Sequence, residues 1–245
     1  MKQRNRGLEL TFKTIDASHS AAAVEVVAIS LDSRHVKVRR WAFARALVSG
    51  DRRVHRELIR HLDQMPGQIR SRLPESRGTM TAALRAALLG NDALLRANAA
   101  TIALEVREYV LIPDLVRFIK EREQVDDTVA WTVLELADRL REDLKIPRRK
   151  AEQRELEAVA EECREAVEPV LETFHKHRSR GLLEAYLILA GTGDARVKDA
   201  IEKPRSLLGA AILEIFQSGA TRGIRELLAD AIHSPETPAL VLETL

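Results

Sequence analysis

Apolar residues along this chain recur every three to four positions, and short polar punctuation interrupts the recurrence. The clearest stretch runs from Leu84 to Ile119, LRAALLGNDALLRANAATIALEVREYVLIPDLVRFI. Its period predicts helix, tight turn, helix, short link and helix, with no room for a strand. An earlier stretch, Val27 to Leu62, has the same layout. Around these two, the pattern predicts helices over about 20–31, from Ser33 to about Ser49, and from Asp51 to near Asp63. Others are expected over 79–89, 93–107, 113–122 and from Asp126 or Asp127 to about Leu144. Ser33, Asp51, Asp92, Asp194 and Thr221 are placed to cap helices, because a short side-chain oxygen accepts the orphan N–H groups of a first turn. Gly50 fits a left-handed stop, Pro113 suits a first helical position, and a later helix is expected from Pro204 to Gln217 with Gly219 as its stop.

Two segments depart from this rhythm. In Met1 to Ser18, Leu8, Leu10, Phe12 and Ile15 alternate loosely, which predicts an arm lying on the first helix. Gln64 to Gly78 holds Pro66, Gly67, Pro74 and Gly78 and is expected as a long loop carrying Arg70, Arg72 and Arg77. From Pro147 to His175 the texture changes again. Leu156, Ala160, Cys163, Val167, Val170 and Phe174 recur at four and three residues within a run of Glu and Arg. That predicts a long charged helix with a short seam, and Pro169 should break it by removing a donor and crowding the preceding turn. The seam packs within the fold or pairs two copies of the chain. The segments expected are an arm (1–19), a run of repeats (20–146), the charged insertion (147–178) and further repeats (179–245). The last residues, Thr237 to Leu245, read as an apolar turn of helix, as if the chain continued or docked its end on a partner.

A shift of 57 residues brings the two leading stretches into register. Leu31 falls on Leu88, Val38 on Leu95, Arg39 on Arg96, Ala42 on Ala99, Leu47 on Leu104, Leu58 on Leu115 and Ile59 on Val116. A fixed period of this size is how stacked helical repeats look in sequence. The residues Asn91-Asp92, Leu95-Arg96, Ala99, Leu104 and Pro113-Asp114-Leu115-Val116 resemble HEAT repeats. The first copy offers Val38-Arg39, Ala42 and Leu47 but has His55-Arg56-Glu57-Leu58 in place of the later proline. Weaker copies run from Pro113 to Leu140 and from Leu182 to Ile232. The resemblance implies an all-α fold, an α-solenoid of stacked antiparallel helix pairs (HEAT/armadillo-like). It also implies a binding scaffold rather than an enzyme, and a structural role for Arg39 and Arg96 at the turn between paired helices.

Composition narrows the function classes. With 45% hydrophobic but only 4% aromatic residues, the core is aliphatic and thin. One cysteine, Cys163, rules out a disulfide framework and a cysteine-based zinc site. Met1 to Gly7 is basic but no apolar run follows, so no signal peptide is expected, and no run is long enough for a membrane span. A cytoplasmic protein without membrane contact is the expectation. No Walker loop, dinucleotide-binding turn, nucleophile elbow or HExxH occurs, so no catalytic residue, cofactor or metal is assigned. His175 and His177 point to different sides of a helix, and His55 and His61 are six apart, so neither pair suits a metal.

Charge is uneven. Residues 1–80 hold 16 Lys and Arg against 8 Asp and Glu, a net of +8, and the remainder holds 23 against 29, a net of −6. Arg34, Lys37, Arg40, Trp41 and Arg45 on the second helix and its lead-in, with Arg52, Arg53, Arg56 and Arg60 on the third, form the candidate partner-binding set. Arg52, Arg56 and Arg60 are four apart and make one stripe. Trp41 aligns with Asn98, a polar residue, so Trp41 is either packed between repeats, as a large indole usually is, or partly exposed. The stripe is either a solvated face or a grip on a protein or acidic peptide, the expected partner. Nucleic acid is the alternative, with Arg on phosphates and Trp41 on a base. Trp131 and Glu135, one turn apart, faintly resemble the site of HEAT-like alkylpurine DNA glycosylases, but the neighbouring tryptophan of such a site is missing.

Overall fold

The computed structural model describes residues 2–18, 20–121, 127–191, 194–203, 205–219 and 221–233. Among them the chain is all-helical, with no strand. Two compact units divide after Glu108, inside the stretch expected as one run of repeats.

The first unit holds α1 (Lys2–Ala17), α2 (Ala21–Ser30), α3 (Val36–Leu47), α4 (Arg52–Arg60), a short α5 (Gly67–Arg70), α6 (Thr81–Leu88) and α7 (Ala93–Val106). Leu31, Phe43, Leu58, Ile59, Leu84, Leu88 and Ile102 are fully buried where α2, α3, α4, α6 and α7 meet. Ala42, Ala46, Ala99 and Ala103 are equally buried, and their small size lets the helices approach closely. Caps form as expected at Asp51, which accepts from the Arg53 amide at 2.8 Å, and at Asp92, which accepts from Leu94 and Leu95 at 3.1 Å. Two expected signals do not operate. Ser33 does not cap α3, which starts later at Val36 after His35, and Gly50 is not left-handed, because α3 has already ended at Leu47.

The expected arm is a helix. Leu8, Phe12 and Ile15 follow helical spacing, and Leu10, which suggested alternation, is 67% exposed. Phe12 stacks on Trp41 of α3 with ring centroids 4.4 Å apart and planes 7° apart. The expected loop over 64–78 is also folded. Met65, Ile69 and Leu73 are buried, α5 sits between two turns of 3-10 helix, and Arg70 Nε donates to Glu105 at 3.1 Å. Buried Glu108 closes the segment, accepting from the Gly78 amide at 2.8 Å and the Thr81 hydroxyl at 3.0 Å. At φ +81 only glycine sits at position 78 without strain.

The second unit holds α8 (Ile112–Lys120), α9 (Asp127–Lys145), α10 (Lys150–Val167), α11 (Pro169–His177), α12 (Arg180–Ala190), α13 (Ala195–Glu202), α14 (Leu207–Ser218) and α15 (Arg222–His233). Its centre is α9 against α12, flanked by α8, α10 and α15. Pro169 separates α10 from α11 as expected. The seam is used inside the unit: Leu156, Cys163, Val167, Val170 and Phe174 are buried, with α10 against α8, α9 and α12. Burial pushes the Cys163 thiol up to about 12, and the nearby Glu162 adds to the shift. The Tyr109 hydroxyl donates to the buried Asp143 at 2.7 Å, and Arg148 reaches the same carboxylate at 3.0 Å. Asp194 and Thr221 cap as expected, and Gly219 ends α14 at φ +50. The helix expected from Pro204 begins instead at Leu207, capped by Ser206. Pro204, Asp126 and the apolar turn over 237–245 lie outside the described residues.

The 57-residue register carries over to burial at most of its positions, with Val38, half-buried where Leu95 is buried, as the exception. Leu31 and Leu88, Ala42 and Ala99, and Leu58 and Leu115 are all fully buried, and Leu47 and Leu104 are both 4% exposed. A polar device recurs with it. Arg39 Nη1 donates to the Ser33 carbonyl at 3.2 Å, and Arg96 Nη2 to the Gly90 carbonyl at 2.7 Å. Arg225 Nη1 repeats the bond to the Gly219 carbonyl at 3.0 Å. Each guanidinium sits four residues past a helix cap and reaches six residues back, to a carbonyl just beyond the preceding helix.

Close packing in the second unit gives one sharp expectation. A Cβ on Gly209 would come within 2.3 Å of the Lys203 carbonyl oxygen and 2.5 Å of the Ala200 carbonyl oxygen. These are backbone atoms that cannot swing away, so Gly209→Ala should destabilise the protein by about 1–3 kcal/mol. Urea denaturation checks this, and an unchanged midpoint would refute it.

Candidate interaction surface

The nine residues expected to bind a partner all fall in the first unit, and ion pairing divides them. Arg45 is committed to the end of α1, with Nε 3.4 Å from the Asp16 carboxylate and Nη2 3.4 Å from the Asp16 carbonyl. Arg40 donates to the Gln68 side chain. Arg53 sits 3.4 Å from Asp51 and 3.9 Å from Glu25, and Arg60 Nη1 donates to Glu57 at 2.9 Å. Arg34, Arg52 and Arg56 are exposed and make no hydrogen bond or ion pair among the described residues. The expected stripe therefore reduces to Arg52 and Arg56, one turn apart, because Arg60 is half-buried and paired.

Trp41 is partly covered. Phe12 takes one face of the indole, and Nε1 donates to Asp16 at 3.5 Å. The aligned Asn98 makes a comparable contact from α7, donating through Nδ2 to the Ile59 carbonyl at 2.9 Å at the end of α4. Both side chains fasten a helix to the end of an earlier one. The rest of Trp41 borders a cavity of about 490 Å³ with Lys37, Arg40, Gln68 and Arg72. Arg72 Nε there donates to Glu75 at 3.2 Å. The one aromatic of the set thus stands beside guanidiniums that are already paired, while the unpaired ones line a different cavity.

That second cavity, of about 510 Å³, lies between α4 and α6. Arg52, Arg53 and Arg56 form one side, and Ala82, Ala83, Ala86 and Ala87 form the floor, closed at one end by the turn from Gly90 to Asp92. The apolar period marks these alanines only as helix core. Their pairing at four-residue spacing, opposite arginines of the same spacing, is the signal in the sequence that could have found the groove. A third cavity, about 620 Å³ between α2 and α4, shares Arg53 and Arg56 but faces them with Glu25, Asp32 and Glu57.

In the second unit, Trp131 is 48% exposed and Glu135 is half-buried. Burial pushes the Glu135 carboxyl up, and Arg139 opposes the shift. Among the described residues no group of three His, Cys, Asp or Glu side chains converges as for a metal, and no helix is long and apolar enough to cross a membrane. Comparison with protein-family models, curated proteins and solved structures finds no match for this chain.

The inner face of α4 carries His55, 1% exposed and with Nε2 unpartnered. Burial pushes this imidazole below its ordinary value of 6.5, against smaller opposing effects of the Ser49 and Ala46 backbone and the Asp51 carboxylate. The folded state therefore takes up a proton less readily than the unfolded chain. Its stabilising contribution is complete above about pH 6.5 and is lost as pH falls below that value toward the folded pKa. In denaturation series across this range, the His55→Leu variant should lose some of the acid-side decline seen in the parent. Superimposable pH slopes would contradict the assignment.

Proposed function

We propose that this chain is a non-enzymatic HEAT-like repeat protein, an α-solenoid of stacked antiparallel helix pairs. Its basic first unit holds an acidic segment of a partner protein. The repeat reading is supported by burial that recurs at the 57-residue shift and by the three arginine-to-turn hydrogen bonds. The binding reading rests on one observation: Arg52 and Arg56 are exposed, unpaired and a turn apart, in a region of net +8. Guanidiniums in a fixed fork suit carboxylates, and a surface that leaves them unpaired is complementary to an acidic chain. Protein is favoured over nucleic acid because the indole and the unpaired arginines line separate cavities. Stacking on a base and gripping its phosphate need both in one place.

The test is fluorescence anisotropy with a labelled glutamate-rich peptide and a labelled single-stranded oligonucleotide, each at low and high salt. The peptide should bind at low salt and weaken as salt rises, since exposed charges are screened beyond about 8 Å at physiological ionic strength. Arg52→Glu with Arg56→Glu should weaken it at least about tenfold, with helicity unchanged by circular dichroism. Undiminished peptide binding by that double variant, or tighter binding of the oligonucleotide, would overturn the reading.

A further inference from the structure

The grooves on the two flanks of α4 differ in a way that identifies one as a seat. On the α2 side, Arg53, Arg56 and Arg60 face Glu25, Asp32 and Glu57, so positive and negative groups are matched. On the α6 side, Arg52, Arg53 and Arg56 face a single carboxylate, Asp92. That carboxylate already accepts the Leu94 and Leu95 amides as the cap of α7. This groove therefore carries three guanidiniums against one carboxylate, and of the three Arg52 and Arg56 make no ion pair among the described residues. Its floor is apolar and shallow-sided, because Ala82, Ala83, Ala86 and Ala87 place nothing beyond a methyl group. Ala83 and Ala87 are nearly buried, whereas Ala86 is exposed at the rim.

Resting on the functional reading above, we infer that the α4–α6 groove is the seat of an amphipathic acidic helix from a partner protein. One face of that helix sets aliphatic side chains on the alanine floor, and carboxylates at its edge meet Arg52 and Arg56. The chemistry selects this occupant over a simple anion. Exposed guanidiniums alone hold an anion weakly in water, whereas a cavity of about 510 Å³ with an apolar floor gains from aliphatic groups that leave solvent. Spacing agrees as well: residues four apart on α4 lie one turn apart, as do carboxylates three or four apart on a helical ligand.

Two labelled helix-forming peptides of equal charge test this, one with leucines on one face and glutamates on the other, the second with the leucines replaced by serines. The parent protein should bind the leucine peptide about tenfold or more tighter than the serine peptide. Ala86→Trp fills the groove from an exposed position and should abolish that preference, while the weak, salt-sensitive binding of the serine peptide remains. Arg52→Glu with Arg56→Glu should weaken both peptides. Melting curves verify that each variant is folded, and Ala86→Leu serves as the milder filling if Ala86→Trp lowers the midpoint. Equal affinities for the two peptides, or a leucine preference that survives the folded filling variant, would overturn the seat while leaving a basic binding surface intact. Loss of all acidic-peptide binding by the parent would instead remove the functional reading itself.

Discussion

A guanidinium reaching back across a turn is the interaction on which the arrangement of these helices depends. A helix ends with carbonyls that have no partner within it, and a short turn offers few donors to meet them. Arg39, Arg96 and Arg225 each supply a donor to the turn itself, bonding from the first turns of the next helix a carbonyl just beyond the preceding one, six residues earlier, at 3.2, 2.7 and 3.0 Å. The bond ties two consecutive helices at their shared end. Apolar stripes of Leu and Ala then bring the rest of each pair together, so the polar clamp sets the geometry and burial supplies most of the energy.

The same clamp shapes the candidate site. Arg96 holds the Gly90 carbonyl, and the turn from Gly90 to Asp92 is the end wall of the groove between α4 and α6. Asp92 accepts the first amides of α7 through one oxygen and is the single carboxylate lining the groove, against three arginines. His55 and Leu58 fix the inner side of α4, which leaves Arg52 and Arg56 on the outer side. The positive wall is thus a consequence of how the turn and the inner face are satisfied.

Much of this is legible in the sequence where a local rule governs it. Asp51, Asp92, Asp194 and Thr221 cap, Pro169 breaks and Gly219 stops because each acts on its own helix. The register aligns Arg39 with Arg96, and their structural role is what the resemblance to HEAT repeats implies; Gly219-Ala220-Thr221 with Arg225 echoes Gly90-Asn91-Asp92 with Arg96 in the sequence. The two misread segments, 1–18 and 64–78, both hold a helical spacing that a competing local signal masks. Leu10 suggests an alternating arm although Leu8, Phe12 and Ile15 follow a helix, and Pro and Gly suggest a loop although Met65, Ile69 and Leu73 recur every four residues. For the site, the positions of the arginines are readable, but which of them are paired is not. The partners Asp16, Glu25 and Gln68 lie 28 or 29 residues from the arginines they engage, and only the fold brings them together.

The most direct test of the clamp is the unfolding free energy of Arg96→Met, whose side chain keeps much of the aliphatic bulk and loses the donors. A hydrogen bond from a charged donor contributes about 1.5–3 kcal/mol, and a loss of that size is expected. A change within about 0.5 kcal/mol, as for an ordinary surface substitution, would contradict it.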